Sequence, residues 1–422
     1  MRILLVGASG FIGGRLLAAL QAAGHPLVAT SRSGRGAELP GVRWMALDLA
    51  ALAEQPQAFI WPEVDLLINA AGLLDTHAGR LEMVQHFGPR RLFEQAAEQG
   101  AAVLQLSALG AGEHPGVPFL ASKAAADDHL LGLGIPAVVL RPSVVVGEGG
   151  ASSGWLAQLS PWPLIPLLDR RARLQPVHVD DLVGAVLALI RQWPSGPRVL
   201  PLVGPQVMTL AELIDRLRAR QGWAPARYLQ VPAPLARLGA RLGDRLGWRA
   251  LNSQTLTLAR HDNLASTVPL AEACGYLPAP IEARLQGWPR QAESVTLALQ
   301  PPMLAAMALV WLGTAAVCLG PGYAWGLGIM AEMGVHGWPA TLAVVAGALC
   351  DALLGLGLLL RRWRRRALQA QALLMLVYMA IISLALPGYW FDPFGSVSKN
   401  LVLLVATLWL LWTGPTRRHA AR

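Results

Sequence analysis

The chain has 422 residues, 54% of them hydrophobic and only 14% charged, which is too apolar for a purely soluble protein of this size. The excess is concentrated: the first 300 residues read as an ordinary globular enzyme, and almost everything after Pro301 is apolar. The net charge of +9 comes with no aromatic-interleaved basic stripe, so nucleic acid is not an expected partner. Three widely spaced cysteines, Cys274, Cys318 and Cys350, suggest neither a disulfide framework nor a metal site.

In chain order, residues 2–6 form a short apolar strand, interrupted too soon by glycine to be a secretory signal. The strand runs into Gly7-Ala8-Ser9-Gly10-Phe11-Ile12-Gly13 and then a helical stretch to about Ala23. Glycines at these three positions, between a strand and a helix, have separate tasks. The first permits a tight bend, the second lets the backbone approach a pyrophosphate, and the third allows close helix–strand packing. The helix N-terminus adds free N–H groups and a partial positive charge. Gly7, Ser9, Gly10, Phe11, Ile12 and Gly13 are therefore the expected dinucleotide cradle. A second strand at 27–30 ends in Ser31-Arg32-Ser33, where an NAD site usually carries an acid for the ribose 2′-hydroxyl. A guanidinium suits a 2′-phosphate, so Arg32 favours NADP(H) over NAD(H).

Further strands are expected at about 42–47, 64–69, 101–107 and 136–141, separated by helix-length amphipathic sequence. This alternation predicts an α/β Rossmann fold, a doubly wound parallel sheet, over residues 1–204. Asp48-Leu49 closes the third strand, within reach of an adenine, and Asn69-Ala70-Ala71-Gly72 ends the fourth, where small residues leave room for the cofactor. Residues 205–300 read as a small substrate-binding lobe. Within it Leu235, Leu238, Leu242 and Leu246 repeat at helical spacing among Arg237, Arg241 and Arg245, a stripe that suits either core packing or an anionic lipid surface. Asp180 and Asp181 precede an apolar helical run and read as its N-terminal cap.

These segments resemble the extended and atypical branch of the short-chain dehydrogenase/reductases, the NAD-dependent epimerase/dehydratase-like group that includes a complex I accessory subunit. The resemblance is carried by the glycine turn, Asp48-Leu49, Asn69-Ala70-Ala71-Gly72, Ser107-Ala108-Leu109-Gly110, Ser122-Lys123, Leu140-Arg141-Pro142-Ser143 and Val177-His178-Val179-Asp180-Asp181. It implies cofactor contacts from Ala70, Ala71, Gly72, Pro142 and Ser143, and from Lys123 to the nicotinamide ribose. It also implies Ser107 orienting a substrate carbonyl and a tyrosine four residues before Lys123 as general acid/base. That position is Phe119, which has no titratable proton. Gln85 stands where relatives carry an asparagine of the proton relay. The chain holds only two lysines, Lys123 and Lys399, so a lysine at the family position is a specific match. Tyr228, the first tyrosine in the sequence, and Glu113 and His114 before Phe119 are the alternative proton donors.

From Pro301 to Ala331 there is no charged residue, enough for a membrane span at about 302–320. Further spans are expected at 339–360, 367–387 and about 398–413, the last short for a crossing. They make a four-helix transmembrane bundle over 301–422, a segment that resembles the DoxX-like membrane family. Arg361–Arg366 lie between the second and third spans, and Arg417, Arg418 and Arg422 after the fourth, while the loops at 321–338 and 388–397 hold no Lys or Arg. The distribution predicts a multi-pass protein of the inner (cytoplasmic) membrane with the N-terminal domain and C-terminus in the cytoplasm. Trp311, Trp325, Trp338, Trp363, Trp390, Trp409 and Trp412 are the expected interfacial belt, and Asp351 is expected to face the bundle interior with a partner. Two functions fit: an NADP(H)-dependent oxidoreductase or epimerase-like enzyme on an apolar, lipid-linked or quinone substrate, or a non-catalytic NADP(H)-binding sensor or scaffold for an unidentified protein partner.

Overall fold

The computed structural model describes the chain except residues 56, 58, 74, 76, 248–250, 394, 396 and 415–422, and the side chain of Leu246. Arg417, Arg418 and Arg422, part of the topology argument, lie outside the described residues. The chain divides into two compact units, Met1–Ser294 and Val295–Thr416.

The first unit is built on seven parallel strands: β1 (Ile3–Val6), β2 (Leu27–Ser31), β3 (Val42–Ala46), β4 (Leu66–Asn69), β5 (Ala102–Leu106), β6 (Ala137–Pro142) and β7 (Arg198–Leu202). Their spatial order is β7-β6-β5-β4-β1-β2-β3, so the chain reverses its direction of travel across the sheet between β1 and β4. At such a switch point the adjoining loops part and leave a crevice at the carboxyl edge. Because both faces of the central strands are covered, β1 and β4 are buried along their whole length rather than alternating, while the edge strand β3 is not. Ile3 and Leu5 pack with Leu16 and Leu20 of α1 (Phe11–Ala22) and Leu182, Val186 and Leu189 of a helix at Val179–Arg191. Leu4 and Val6 face the other way, toward Leu92 and Phe93 of the helix Gly88–Glu98 and Leu130 of the helix Pro118–Gly132.

The small lobe draws on residues from both sides of 204. Leu164–Leu167 pairs with Arg227–Gln230, and Arg173–Leu174 with Met208–Thr209. The two aspartates do not cap the helix Val179–Arg191. His178 does, its ring Nδ1 accepting from the Asp180 N–H at 3.2 Å. Asp180 instead pairs with Arg15, and Asp181, fully buried, accepts from Tyr276 Oη at 2.9 Å and Arg284 Nη2 at 2.7 Å. That clamp fixes residues 276–284 to the sheet's covering helix, a contact between segments about a hundred residues apart in the chain.

In the second unit the helices Gln291–Leu319, Trp338–Leu359 and Arg364–Ala385 are long and apolar enough to cross a membrane. The fourth expected span forms the helix Lys399–Thr413, whose 15 residues reach about 22 Å at ~1.5 Å each, short of a ~30 Å hydrocarbon layer. The expected loop 321–338 contains a further helix, Tyr323–Glu332. Arginine spacing locates turns on the basic side and carries no information about helices in a segment without basic residues. The arginine run spans the turn before Arg364 and the first residues of the helix Arg364–Ala385, with the guanidinium groups of Arg362 and Arg366 over the Trp363 ring. Trp325, Trp338 and Trp412 are largely exposed, as interfacial residues should be. Trp311 departs from that reading: it is buried with Met307, Leu358 and Leu410 in the helix core. Asp351 faces inward as expected, and among the described residues its Oδ1 has no hydrogen-bond partner.

Candidate functional site

The glycine turn has the geometry its sequence demands. Gly7 sits at a φ of +78°, and a Cβ there would lie 2.9 Å from the Ala71 backbone, so the β1 and β4 ends approach as only glycine allows. A Cβ on Gly13 would lie 2.1 Å from the Gly7 carbonyl oxygen, which seats α1 directly on the turn. Gly10 is the N-cap of α1; no side chain caps it and its first turn carries no acid. The leading N–H groups of this helix therefore face the crevice with their partial charge uncompensated.

At the end of β2, Ser31 Oγ donates to the Arg35 carbonyl at 2.7 Å and accepts from its N–H at 3.0 Å. This closes a small loop that leaves Arg32 and Arg35 exposed. Asp48 accepts from the Ala50 N–H at 2.9 Å and caps the helix Leu49–Glu54, so one carboxylate oxygen is occupied there, while Leu49 is buried. Asn69 holds the β4 end in place: its Oδ1 accepts from the Ala71 N–H at 3.1 Å and its Nδ2 donates to Gln105 Oε1 at 2.8 Å.

Lys123 reaches this crevice from the helix Pro118–Gly132. Its Nζ donates to the carbonyls of Leu106 at 2.8 Å and Ala71 at 3.2 Å, which places the ammonium between the ends of β4 and β5. Burial pushes its pKa down to about 8, against the attraction of Asp127 one turn further along. Gln85 converges on the same point. It lies in a π-helical turn, Met83–Phe87, and donates to Ser122 Oγ at 3.2 Å, which in turn donates to the Phe119 carbonyl. A Cβ on Gly72 would lie 3.9 Å from Lys123 Nζ and 4.0 Å from Gln85 Oε1. That Oε1 is buried and, among the described residues, has no donor.

Ser107 is placed differently from its expected role. Its hydroxyl donates to Asp127 Oδ2 at 2.7 Å, an oxygen that also accepts from Arg141 Nη2 at 2.9 Å. Burial raises the Asp127 pKa, and the bonds from Ser107 and Arg141 oppose that rise. The serine is thus tied into an ionic cluster that holds β5, β6 and the lysine helix together. The cause is Asp127, a helical residue that a serine motif does not take into account.

Phe119 stands at the helix start, its N–H donating to Gln254 Oε1 at 3.1 Å, while Gln254 Nε2 donates to the Asp75 carbonyl at 3.1 Å. Gln254 therefore straps the lobe across the loop after β4. Ser143, following Pro142 at the end of β6, donates to Asn263 Oδ1 of the lobe. Among the alternative donors, Tyr228 is held on the lobe by bonds to Asp215 Oδ1 and the Ala211 carbonyl, and its pKa is raised by burial and by Asp215. The His114 ring lies 4.4 Å from that of His261, tilted by 52°, and Glu113 is exposed. Gln254, Asn263 and His261 were not legible as site residues, because loop residues without periodicity give no sign of which crevice they line.

Residues 3–200 match the NAD dependent epimerase/dehydratase family, and residues 308–408 match the DoxX-like family. The chain is 26% identical over 286 residues to a ceramide reductase of Caulobacter vibrioides, spanning 64% of this chain and 88% of that protein. It is also 26% identical over 250 residues to the NADH dehydrogenase [ubiquinone] 1 alpha subcomplex subunit 9 of Arabidopsis thaliana, spanning 56% of this chain and 62% of that protein. The crystal structure of UDP-glucose 4-epimerase from Thermotoga maritima shares the fold at a TM-score of 0.52 and 18% identity, covering 67% of this chain and 95% of that one.

Proposed function

Because residues 3–200 are a domain of the NAD dependent epimerase/dehydratase family and residues 308–408 a DoxX-like domain, we propose that this is a membrane-anchored NAD(P)(H)-dependent oxidoreductase acting on an apolar, lipid or quinone substrate. The observation that carries the reading is Lys123, the chain's one lysine outside the C-terminal segment, buried between the β4 and β5 ends beside the glycine turn. A ceramide reductase among the relatives supports a lipid carbonyl as the substrate class.

The residues fit a dinucleotide. The glycine turn packs backbone on backbone, since a Cβ at Gly7 or Gly13 would clash with Ala71 or with the Gly7 carbonyl, and α1 opens with uncapped N–H groups that suit a pyrophosphate. Gly10, Phe11 and Ile12 would hold the phosphates, Arg32 a 2′-phosphate, Asp48 and Leu49 the adenosine side, and Lys123 the nicotinamide ribose, with Ala70, Ala71, Gly72, Pro142 and Ser143 around them. When bound, the coenzyme supplies or accepts a hydride.

The chain's own residues must manage the proton. Phe119 has none, and Ser107 is engaged with Asp127. Lys123, with a pKa brought to about 8, is protonated at neutral pH and acidic enough to donate. We assign it the general-acid role in place of the absent phenol. Gln85, with an idle carbonyl aimed at the same place, positions the donor or a water beside it. Held at a bilayer, such a site meets lipid-dissolved substrates at high local concentration.

Phe119 also favours a second reading, a protein that holds NADP(H) without turnover and reports redox state to a membrane partner. The test is to identify the coenzyme released by the purified full chain by mass spectrometry, then follow NADPH oxidation against long-chain carbonyl and quinone acceptors. Bound NADPH oxidised by one acceptor class is the expected result. Bound NADPH that no acceptor oxidises would replace the enzyme with the sensor.

A further inference from the structure

The helix Ala233–Leu246 in the small lobe is built inside out. Its inner face is made of small residues: Ala236 and Ala240 are buried, and Gly239 and Gly243 lie against Leu251, with no room for a Cβ at Gly243. The large residues point away from the protein. Leu235 is 60% exposed, Leu238 55% and Leu242 45%. Their spacing of three and four places them in one ridge on the helix. Arg237, Arg241 and Arg245, each four apart and all exposed, form a second stripe beside that ridge, and Asp244 is the only acid in the helix. Asp244 is itself turned to the following helix, accepting from the Ser253 N–H at 3.1 Å. The same lobe exposes Trp162, Leu164 and Leu229; Leu164 and Leu229 share the outer face of the ribbon that Leu164–Leu167 makes with Arg227–Gln230.

A leucine ridge left in water is unfavourable, and the residues alongside it indicate what covers it. Basic side chains flanking an apolar stripe match a layer that is apolar within and negatively charged at its surface. A second copy of the chain is a poorer match, because an isologous contact through the ridge would bring the two arginine stripes together. The membrane-crossing helices that begin at Gln291 belong to the same chain and keep a bilayer within reach.

We propose that the helix Ala233–Leu246 lies in the headgroup layer of an anionic bilayer, with Leu235, Leu238 and Leu242 among the acyl chains and Arg237, Arg241 and Arg245 on the lipid phosphates. The lobe that closes over Phe119 through Gln254 is then itself a membrane-surface element. The inference needs only the exposed ridge and a membrane-bound chain, so it stands or falls apart from any turnover.

The test uses the full chain with Cys274, Cys318 and Cys350 changed to alanine and one new cysteine, Leu238→Cys, Leu242→Cys or Gln99→Cys, carrying a nitroxide. In nanodiscs of phosphatidylcholine with phosphatidylglycerol, labels at 238 and 242 should collide severalfold more with dissolved oxygen than with an aqueous nickel chelate. The label at 99 should do the reverse. Removing the anionic lipid, or changing the three arginines to glutamine, should shrink the contrast at 238. Nickel access at 238 equal to that at 99 overturns the proposal, as does strong label-to-label dipolar coupling between two copies at 238. In the unsubstituted chain a carbene-generating acyl-chain probe should label the peptide 233–246; labelling confined to the crossing helices would equally overturn it.

Discussion

The two halves of this chain use the same residues in opposite ways. In the first unit Ile3, Leu4, Leu5 and Leu67 are fully buried, whereas in the second Leu309, Leu353 and Leu384 are mostly exposed. Polar groups invert as well. Asp127 and Asp181 lie deep in the first unit and are paired with arginines, since a buried carboxylate without a partner is costly in a water-soluble fold. Asp351 lies inside the second unit with an oxygen unpartnered among the described residues. The difference teaches that apolar content identifies a core only once the solvent is known. The helix Ala233–Leu246 is the instructive intermediate, carried by the soluble unit but presenting leucines as the membrane unit does.

The comparison is broken most severely at the lysine to which we assign the proposed chemistry. Lys123→Met should lower turnover by about 10²–10⁴-fold, measured as steady-state NADPH oxidation, while leaving the protein folded and in the membrane. With Lys123 as the donor, activity should fall as pH rises through about 8, since the required form is the protonated one; the variant's residual rate should lack that limb. A pH profile flat across this range would remove Lys123 from the role. On stability, Asp181→Ala should destabilise the first unit by about 1–3 kcal/mol, because it removes acceptors from Tyr276 and from the partly exposed Arg284. Denaturant unfolding of the full chain in detergent would register it.

A paired truncation sharpens the contrast directly. Leu67→Ala, at a site with no exposure, should cost about 2–5 kcal/mol, whereas Leu353→Ala, 70% exposed on an apolar helix, should cost under about 1 kcal/mol in lipid, where the leucine leaves one apolar medium for another. Equal costs would mean that the second unit buries Leu353 in an assembly. On coenzyme choice, Arg32→Ala should reduce the preference for NADPH over NADH by about tenfold, read from the two dissociation constants. An unchanged ratio would leave Arg32 a solvated loop residue.

Much of this was legible in the chain. The strands were readable because a sheet covered on both faces is written as unbroken apolar runs, and the glycine turn because Gly7 and Gly13 meet backbone that no side chain could approach. The lysine was readable through its rarity. Long-range pairing was not. Ser107 turns to Asp127, Asp181 to Tyr276 and Arg284, and Gln254 to Phe119, each across at least a helix, and no local period encodes such partners. The leucine stripe at 235–242 was visible, but its direction was not, because alanine and glycine on the opposite face can pack as closely as leucine can. Trp311 does not belong with the interfacial tryptophans: it sits well inside the helix Gln291–Leu319 and packs against Met307 and Leu358.

The claim on which the rest depends is that the turn at Gly7–Gly13 grips a dinucleotide in a chain held at a membrane. Equilibrium titration of NADPH into the full chain in nanodiscs, native against Gly13→Val, tests it most directly, since the added side chain would occupy the space of the Gly7 carbonyl. Saturable binding by the native chain and its loss in the variant is the predicted result. Failure of the native chain to bind either nicotinamide coenzyme, or unchanged affinity in the variant, would contradict the account.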